Sequence, residues 1–97
     1  MEGQDPVGVE PRAHEEHVDA VAHFGTSMVR KLDKNALKGH WRDGVSVHYL
    51  LTRLEEEVKE LRAAVTDGTP SRILDEASDV ANFAMFVADL YSDRKRK

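Results

Sequence analysis

Apolar residues recur at helical intervals in three separate stretches of the chain. In the second and third stretches they step by 4, 3, 4, 3 and 4 positions, which places them on one face of a helix. The first stretch, residues 14–35, follows a looser version of the same pattern. The apolar positions of the two clearest stretches are Val47, Leu51, Leu54, Val58, Leu61 and Val65, and then Ile73, Ala77, Val80, Ala84, Val87 and Tyr91. The pattern predicts three amphipathic helices.

Polar residues and glycine mark where these helices begin and end. Ser46 stands where a capping side chain would start the second helix. Asp67 and Gly68 end that helix, and Thr69 followed by Pro70 begins the third with a capping hydroxyl and a proline at the first helical position. Because this linker is short, the second and third helices are predicted to form an antiparallel hairpin. Residues 36–45 are predicted to form an ordered loop.

The second half of the third helix is apolar almost all round. Such a helix must be buried on more than one side, and a monomer with three helices cannot easily surround it. We therefore predict an all-α fold in which an antiparallel helical hairpin and an N-terminal helix are completed into a four-helix-type bundle by dimerisation. The expected assembly is a homodimer or a homotetramer with the third helix near the symmetry axis.

Composition limits the remaining possibilities. The 97 residues allow one domain, residues 14–93, between a flexible N-terminal tail of residues 1–13 and a basic C-terminal tail of residues 94–97. The net charge of −4 argues against nucleic acid as a partner, and the basic tail is interpreted as the end of a helix. We find neither a secretory signal pattern nor an apolar stretch that could cross a membrane, so a cytoplasmic protein without a membrane partner is expected.

Acidic pairs on the predicted hairpin form the main candidate site. Glu57 and Glu60 lie three positions apart and share a helix face, as do Glu76 and Asp79. Both pairs lie about equally far from the hairpin turn and adjoin apolar positions, so they are predicted to face each other across the groove. Converging carboxylates repel unless a cation neutralises them. Without cysteine, any metal must use oxygen or nitrogen ligands, and this set favours Mg²⁺, with Mn²⁺ as a substitute.

A solvated acidic face is the competing interpretation. Glu55 and Lys59 have the spacing of a stabilising surface pair. However, Glu56 and Glu60 are a like-charge pair at that spacing, which a helix chosen only for stability would avoid. Periodicity alone leaves both interpretations open.

The two motifs, Glu57-x-x-Glu60 and Glu76-x-x-Asp79, resemble the EXXE and EXXD signature of the MazG-like, all-α nucleoside triphosphate pyrophosphohydrolases. The resemblance covers about residues 32–90. It includes the apolar neighbours of both motifs: Leu54, Val58, Leu61, Val80 and Phe83. It implies hydrolysis of a nucleoside triphosphate (NTP or dNTP) to the monophosphate and pyrophosphate, with Glu57, Glu60, Glu76 and Asp79 as the magnesium ligands and catalytic residues.

A triphosphate also needs protein cations and a surface for its base. Lys38 and Arg53 are the candidate phosphate-binding residues. Trp41 precedes the EXXE helix, where related enzymes place an aromatic side chain against the nucleobase, but the ring is equally compatible with a cover over the bundle end. Asn82 lies one turn beyond Asp79 and is a candidate for binding a sugar hydroxyl, for orienting a ligand or for fixing the register of a dimer.

Two other functions compete with the enzyme. The first is a non-catalytic dimeric helical interaction module with an acidic metal-binding groove. The second, nucleic-acid binding through residues 94–97, has less support because the rest of the chain is acidic.

Overall fold

The computed structural model describes residues 10–38 and 40–92, and these residues form helices joined by short turns. Helix α1 is Pro11–Lys34, a 3₁₀ turn follows at Ala36–Lys38, and α2 and α3 are Val47–Asp67 and Pro70–Leu90. The predicted all-α class is confirmed over this range. Most of the predicted N-terminal tail and all of the basic tail at residues 94–97 lie outside the described residues.

Helix α1 begins three residues before its predicted start at residue 14. Pro11 occupies the first helical position, where a missing N–H costs nothing and the fixed φ favours a helix. Residues 11–13 therefore belong to the helix, although the spacing of apolar residues had assigned them to the N-terminal tail.

The turn between α2 and α3 is built as predicted, with one exception. Gly68 adopts a left-handed conformation with φ of 75° and its N–H donates to the Ala64 carbonyl, which ends α2. Ser46 caps α2 by accepting a 3.1 Å hydrogen bond from the Tyr49 N–H. Thr69 stands at the N-cap of α3, but its hydroxyl makes no capping bond. Pro70 starts α3 without that bond because its ring already holds the first helical φ.

Helix α3 packs against both other helices, along α2 in the hairpin and against α1 on another side. The contact with α1 contains buried polar groups. Ser27 and Ser78 are both buried and their hydroxyl oxygens lie 2.7 Å apart. One turn away, the Asn82 side-chain amide donates to the Met28 carbonyl at 3.1 Å. These bonds fix the register of α1 against α3 because hydrogen bonds, unlike apolar contacts, require a particular alignment.

Few apolar side chains of the described region are buried. Only Leu50 and Ala64 are buried hydrophobic residues there. The exposed large ones lie mainly on α1 and α2: Val18, Val21, Val29, Tyr49, Leu51, Val58, Val65 and, after α3, Tyr91. Because α3 already lies against two helices, the unpartnered apolar surface is on its neighbours. Among the described residues, no helix is long and apolar enough to span a membrane.

Replacing Ser78 with valine tests the seam between α1 and α3. The added methyl groups meet α1 at a fully buried position and remove a buried hydrogen bond, so we expect a loss of about 1–3 kcal/mol in the free energy of unfolding. Urea unfolding followed by circular dichroism measures it. Ser71→Val, at an exposed position of the same helix, is the control. Equal stability of the two variants would show that the seam contributes little.

Candidate functional site

The hairpin brings three of the four predicted carboxylates together. Glu57 of α2 and Glu76 and Asp79 of α3 each offer one oxygen within 4.8 Å of the others. Glu57 is buried, and the other two side chains are half-buried. This arrangement follows from antiparallel packing, which places the two acidic segments at the same depth from the turn.

Glu60 lies outside this group. It is one turn nearer the hairpin end than Glu57 and its side chain is exposed. Its charge nevertheless contributes to raising the pKa of Glu76 and of Glu57. Glu60 is therefore an electrostatic neighbour of the three carboxylates rather than a member of the cluster.

The environment of the cluster disfavours its negative charge. Burial is the largest cause that raises the pKa of Glu57, and the charge of Asp79 is the next. The same two causes, in the same order, raise the pKa of Glu76. A carboxylate in such a position binds a proton or a cation more readily than one in water. Close oxygen ligands with excess negative charge match the requirements of a hard divalent ion.

Three protein cations lie against the cluster: Arg53, Lys31 and, more distant, Arg72, whose Nε lies 4.0 Å from the Glu76 Oε2. Arg53 donates to Glu57 at 3.0 Å and to Glu56 at 2.5 Å. Burial by itself lowers the pKa of Arg53, and its bonds to the two glutamates more than reverse this, so the pKa is raised. On the other side, the Lys31 Nζ lies 3.4 Å from the Asp79 Oδ2.

Sequence reasoning missed Lys31. A signal was available, because Lys31, Lys34 and Lys38 follow one another by three and four positions and share one side of the chain as α1 ends. Nothing in the sequence indicated that this side faces Asp79.

A cavity of about 650 Å³ adjoins Glu57 and Asp79. The end of α1, the residues that follow it, the start of α2 and the middle of α3 form its walls. Its lining combines cations with aromatic rings: Lys31, Lys34, Lys38 and Arg53, and His40, Trp41, Tyr49, Phe83 and Phe86. Such a lining suits a ligand with an anionic part and a flat, apolar part. Lys38, Arg53 and Trp41, three of the four predicted substrate-binding residues, are in it.

Trp41 is enclosed between two other rings. His40 is stacked on it at 4.0 Å between centroids and Phe86 at 4.4 Å, both nearly parallel to it. Two parallel rings at these distances cannot share one face of the indole, so they cover opposite faces. Direct stacking of a base on Trp41, as expected from the resemblance, requires one of them to move. His40, which is exposed, presents the outer face of the stack.

Asp89 holds this stack in place. It is buried and accepts from the Trp41 indole N–H at 2.9 Å. It also accepts two bonds from the Arg42 guanidinium, at 2.6 and 3.1 Å. The hydrogen bond to Asp89 is the main cause that raises the pKa of Arg42. In the sequence, Asp89 shows only as a charge within an apolar helix.

Asn82, the fourth predicted substrate-binding residue, is not among the residues that line the cavity. It is buried between α1 and α3, where it donates to Met28. Its position on α3 turns it toward α1 instead of toward the cluster. The alternative role in helix register fits this contact, although the register is that of two helices within one chain.

One protein family resembles this chain in sequence. The sequence profile of the phosphoribosyl-ATP pyrophosphohydrolase family matches residues 28–91, more than half of the chain. The chain belongs to this family. No curated protein and no solved structure matches it.

Membership of the phosphoribosyl-ATP pyrophosphohydrolase family implies pyrophosphohydrolase activity on a nucleotide-like substrate. The predicted reaction class, a hydrolase that releases pyrophosphate, is confirmed at this level. The family is related to the MazG-like group that the motifs resemble, and the match does not name that group. The matched region contains the carboxylate cluster, Lys31, Trp41 and Asp89, and it leaves out the first two-thirds of α1.

Glu76→Gln tests whether the carboxylates of the cluster repel one another. The folded pKa of Glu76 is raised above its ordinary 4.5, because burial, Asp79, Glu60 and Glu57 outweigh the effect of Lys31. A carboxyl group of this kind stabilises the fold below its unfolded pKa and loses that contribution as pH rises through the folded pKa. In EDTA at pH 7, the variant should therefore melt at a higher temperature than the wild type. The difference should disappear below about pH 4, where both forms are neutral.

Thermal melts followed by circular dichroism between pH 3 and pH 8 measure this difference. Glu16→Gln, at an exposed position of α1, controls for the loss of one negative charge. A wild type that melts above Glu76→Gln at pH 7 without metal would contradict the repulsive cluster.

Proposed function

We propose that this protein is a magnesium-dependent pyrophosphohydrolase that hydrolyses a nucleoside triphosphate, NTP or dNTP, between its α and β phosphates. The products are the nucleoside monophosphate and pyrophosphate. The observation that carries the proposal is the convergence of Glu57, Glu76 and Asp79 beside a cavity lined by cations and aromatic rings. Membership of a pyrophosphohydrolase family supports the reaction class.

Glu57, Glu76 and Asp79 would hold Mg²⁺, or Mn²⁺ in its place, and Glu60 would add negative charge at the exposed side. The donor set fits, because all its ligands are carboxylate oxygens and because burial, followed by the charge of Asp79, raises the pKa values of Glu57 and Glu76. A bound ion would supply positive charge for the phosphate oxygens and would make it easier to deprotonate an attacking water molecule.

The chain's own residues bind and orient the substrate. Lys34, Lys38 and Arg53 face the cavity and supply positive charge for the phosphates. The nucleobase fits the aromatic wall, where His40 offers an exposed ring and Phe83 lies edge-on to Phe86, 5.2 Å away. Binding at both ends would place the anhydride bond next to the carboxylates, and such positioning is itself a large part of catalysis.

The family's name favours a particular second substrate. Phosphoribosyl-ATP carries the same triphosphate, so the same arrangement of carboxylates and cations would serve it. It belongs in any substrate panel for this protein.

We propose further that the protein acts as a homodimer or a homotetramer. Leu51, Val58 and Val65 lie seven positions apart on α2 and are 44%, 42% and 57% exposed. A seven-residue apolar repeat on a helix is typical of packing against another helix. The described part of the chain provides no helix to cover it.

A substrate panel tests the reaction. The protein is mixed with Mg²⁺ and, in separate reactions, with each common NTP, each dNTP and phosphoribosyl-ATP. Its substrate should yield pyrophosphate and a monophosphate, and pyrophosphate is detected separately from orthophosphate. Asp79→Asn should lower kcat/KM by about 100-fold or more, because electrostatic stabilisation of the transferring group is usually the largest catalytic contribution. Asp33→Asn, a matched change at an exposed position of α1, should leave kcat/KM unchanged.

Release of orthophosphate and a nucleoside diphosphate would contradict the assigned bond. Metal uptake without turnover of any substrate would favour the non-catalytic interaction module. Unchanged circular dichroism of Asp79→Asn excludes unfolding as the cause of its loss.

Val65→Glu tests the assembly. A charge on the apolar repeat of α2 should convert the oligomer to a monomer, since an unpaired charge buried between helices is strongly disfavoured. Multi-angle light scattering after size exclusion gives the mass. Thr66→Glu adds the same charge at the next, exposed position, and should leave the oligomer intact. A wild type that runs as a monomer at all concentrations would remove the proposal.

A further inference from the structure

Lys31 occupies an unusual position for a lysine. Its side chain is only 12% exposed, and its ammonium group lies 3.4 Å from an oxygen of Asp79. It also lines the cavity, together with Lys34 and Lys38. A nearly buried cation therefore contacts one of the three converging carboxylates and also lines the cavity that adjoins them.

This position conflicts with a metal ion on Asp79. A divalent cation at the cluster and the ammonium of Lys31 would lie within a few ångströms of each other and repel, and partial burial strengthens that repulsion. Either Lys31 leaves Asp79 or an anion comes between the two cations. A phosphate oxygen is such an anion, because it can bind a metal ion and a lysine at the same time.

The surroundings of Lys31 allow the ammonium to move while its backbone stays fixed. One turn earlier, α1 is bound to α3 through Met28 and Asn82 and through Ser27 and Ser78. The neighbouring Arg30 also donates to Asp75 at 2.5 Å. These contacts fix the backbone of α1 at Lys31. The four-carbon side chain of the lysine lets its ammonium group move by several ångströms.

We propose that Lys31 is a substrate-binding residue with two partners: it pairs with Asp79 in the ligand-free protein and transfers to a phosphate oxygen when the metal and nucleotide bind. The inference rests on the proposed function and names a further contact of the same site. In the ligand-free state Lys31 competes with the metal for Asp79. In the substrate complex it holds the phosphate chain beside the metal.

The two roles give effects of opposite sign when the charge is removed. Lys31→Gln takes away a competitor, so the nucleotide-free protein should bind Mn²⁺ about 3- to 10-fold more tightly, the range of a partly exposed charge pair. The same change removes a charged hydrogen bond to phosphate, so binding of a non-hydrolysable α,β-methylene nucleotide with Mn²⁺ should weaken about 10- to 100-fold. If Lys31 were needed only for folding, its replacement would weaken both the Mn²⁺ affinity and the nucleotide affinity.

Calorimetry of wild type and variant, first with Mn²⁺ alone and then with the nucleotide analogue, measures both affinities. Lys59→Gln is the matched control, since it removes a lysine from the exposed side of α2 and should change neither. Lys31→Arg should retain part of the nucleotide affinity because it keeps the charge. If Lys31→Gln does not fold, Lys31→Met keeps the apolar stem and should give the same pair of shifts.

Unchanged affinities in Lys31→Gln, or two shifts of the same sign, would overturn the inference even if the wild type hydrolyses its substrate. A wild type that binds no Mn²⁺ with or without nucleotide would instead overturn the proposed function, and this inference with it.

Discussion

Repulsion among one buried and two half-buried carboxylates is the constraint on which the rest of the site depends. Glu57, Glu76 and Asp79 are brought together by the hairpin, and without a bound ion their charges are offset only by protein cations. Arg53 reaches Glu57 from the same helix, whereas Lys31 reaches Asp79 from α1. The electrostatics therefore give α1 a function beyond covering α3, because it delivers the Lys31 cation to a cluster formed by the other two helices.

The way α1 is attached determines where the Lys31 ammonium group lies. Its contact with α3 relies on buried hydrogen bonds, notably Ser27 with Ser78 and Asn82 with the Met28 carbonyl. Small polar side chains permit a close approach and fix one alignment, while apolar side chains would tolerate sliding by part of a turn. A sliding α1 would move Lys31 away from Asp79. The position of Lys31 relative to Asp79 thus depends on the buried hydrogen bonds between α1 and α3, which a purely apolar interface would lack.

Sequence periodicity was sufficient for the helices and for bringing together three of the four acidic residues, because these features depend on local geometry. The stepping in α2 and α3 fixes which face is apolar, and Glu57, Glu76 and Asp79 adjoin that face at matched distances from Gly68. It failed where a contact joins distant parts of the chain. Whether Asn82 faces α1 or the cavity, and whether Lys31 meets Asp79, depends on the rotation and crossing of two helices. No residue spacing contains that information, and the same holds for Asp89 and the loop it fixes.

The enclosed position of Trp41 gives the molecule a built-in optical signal. It is the single tryptophan of the chain, it lies in the wall of the cavity, and its indole N–H is bonded to a buried carboxylate. Indole emission responds to stacking, to nearby charge and to solvent. All the tryptophan fluorescence of this protein therefore originates beside the site. A rearrangement of His40 or of the other residues around Trp41 should change that fluorescence, so no added label is needed to follow it.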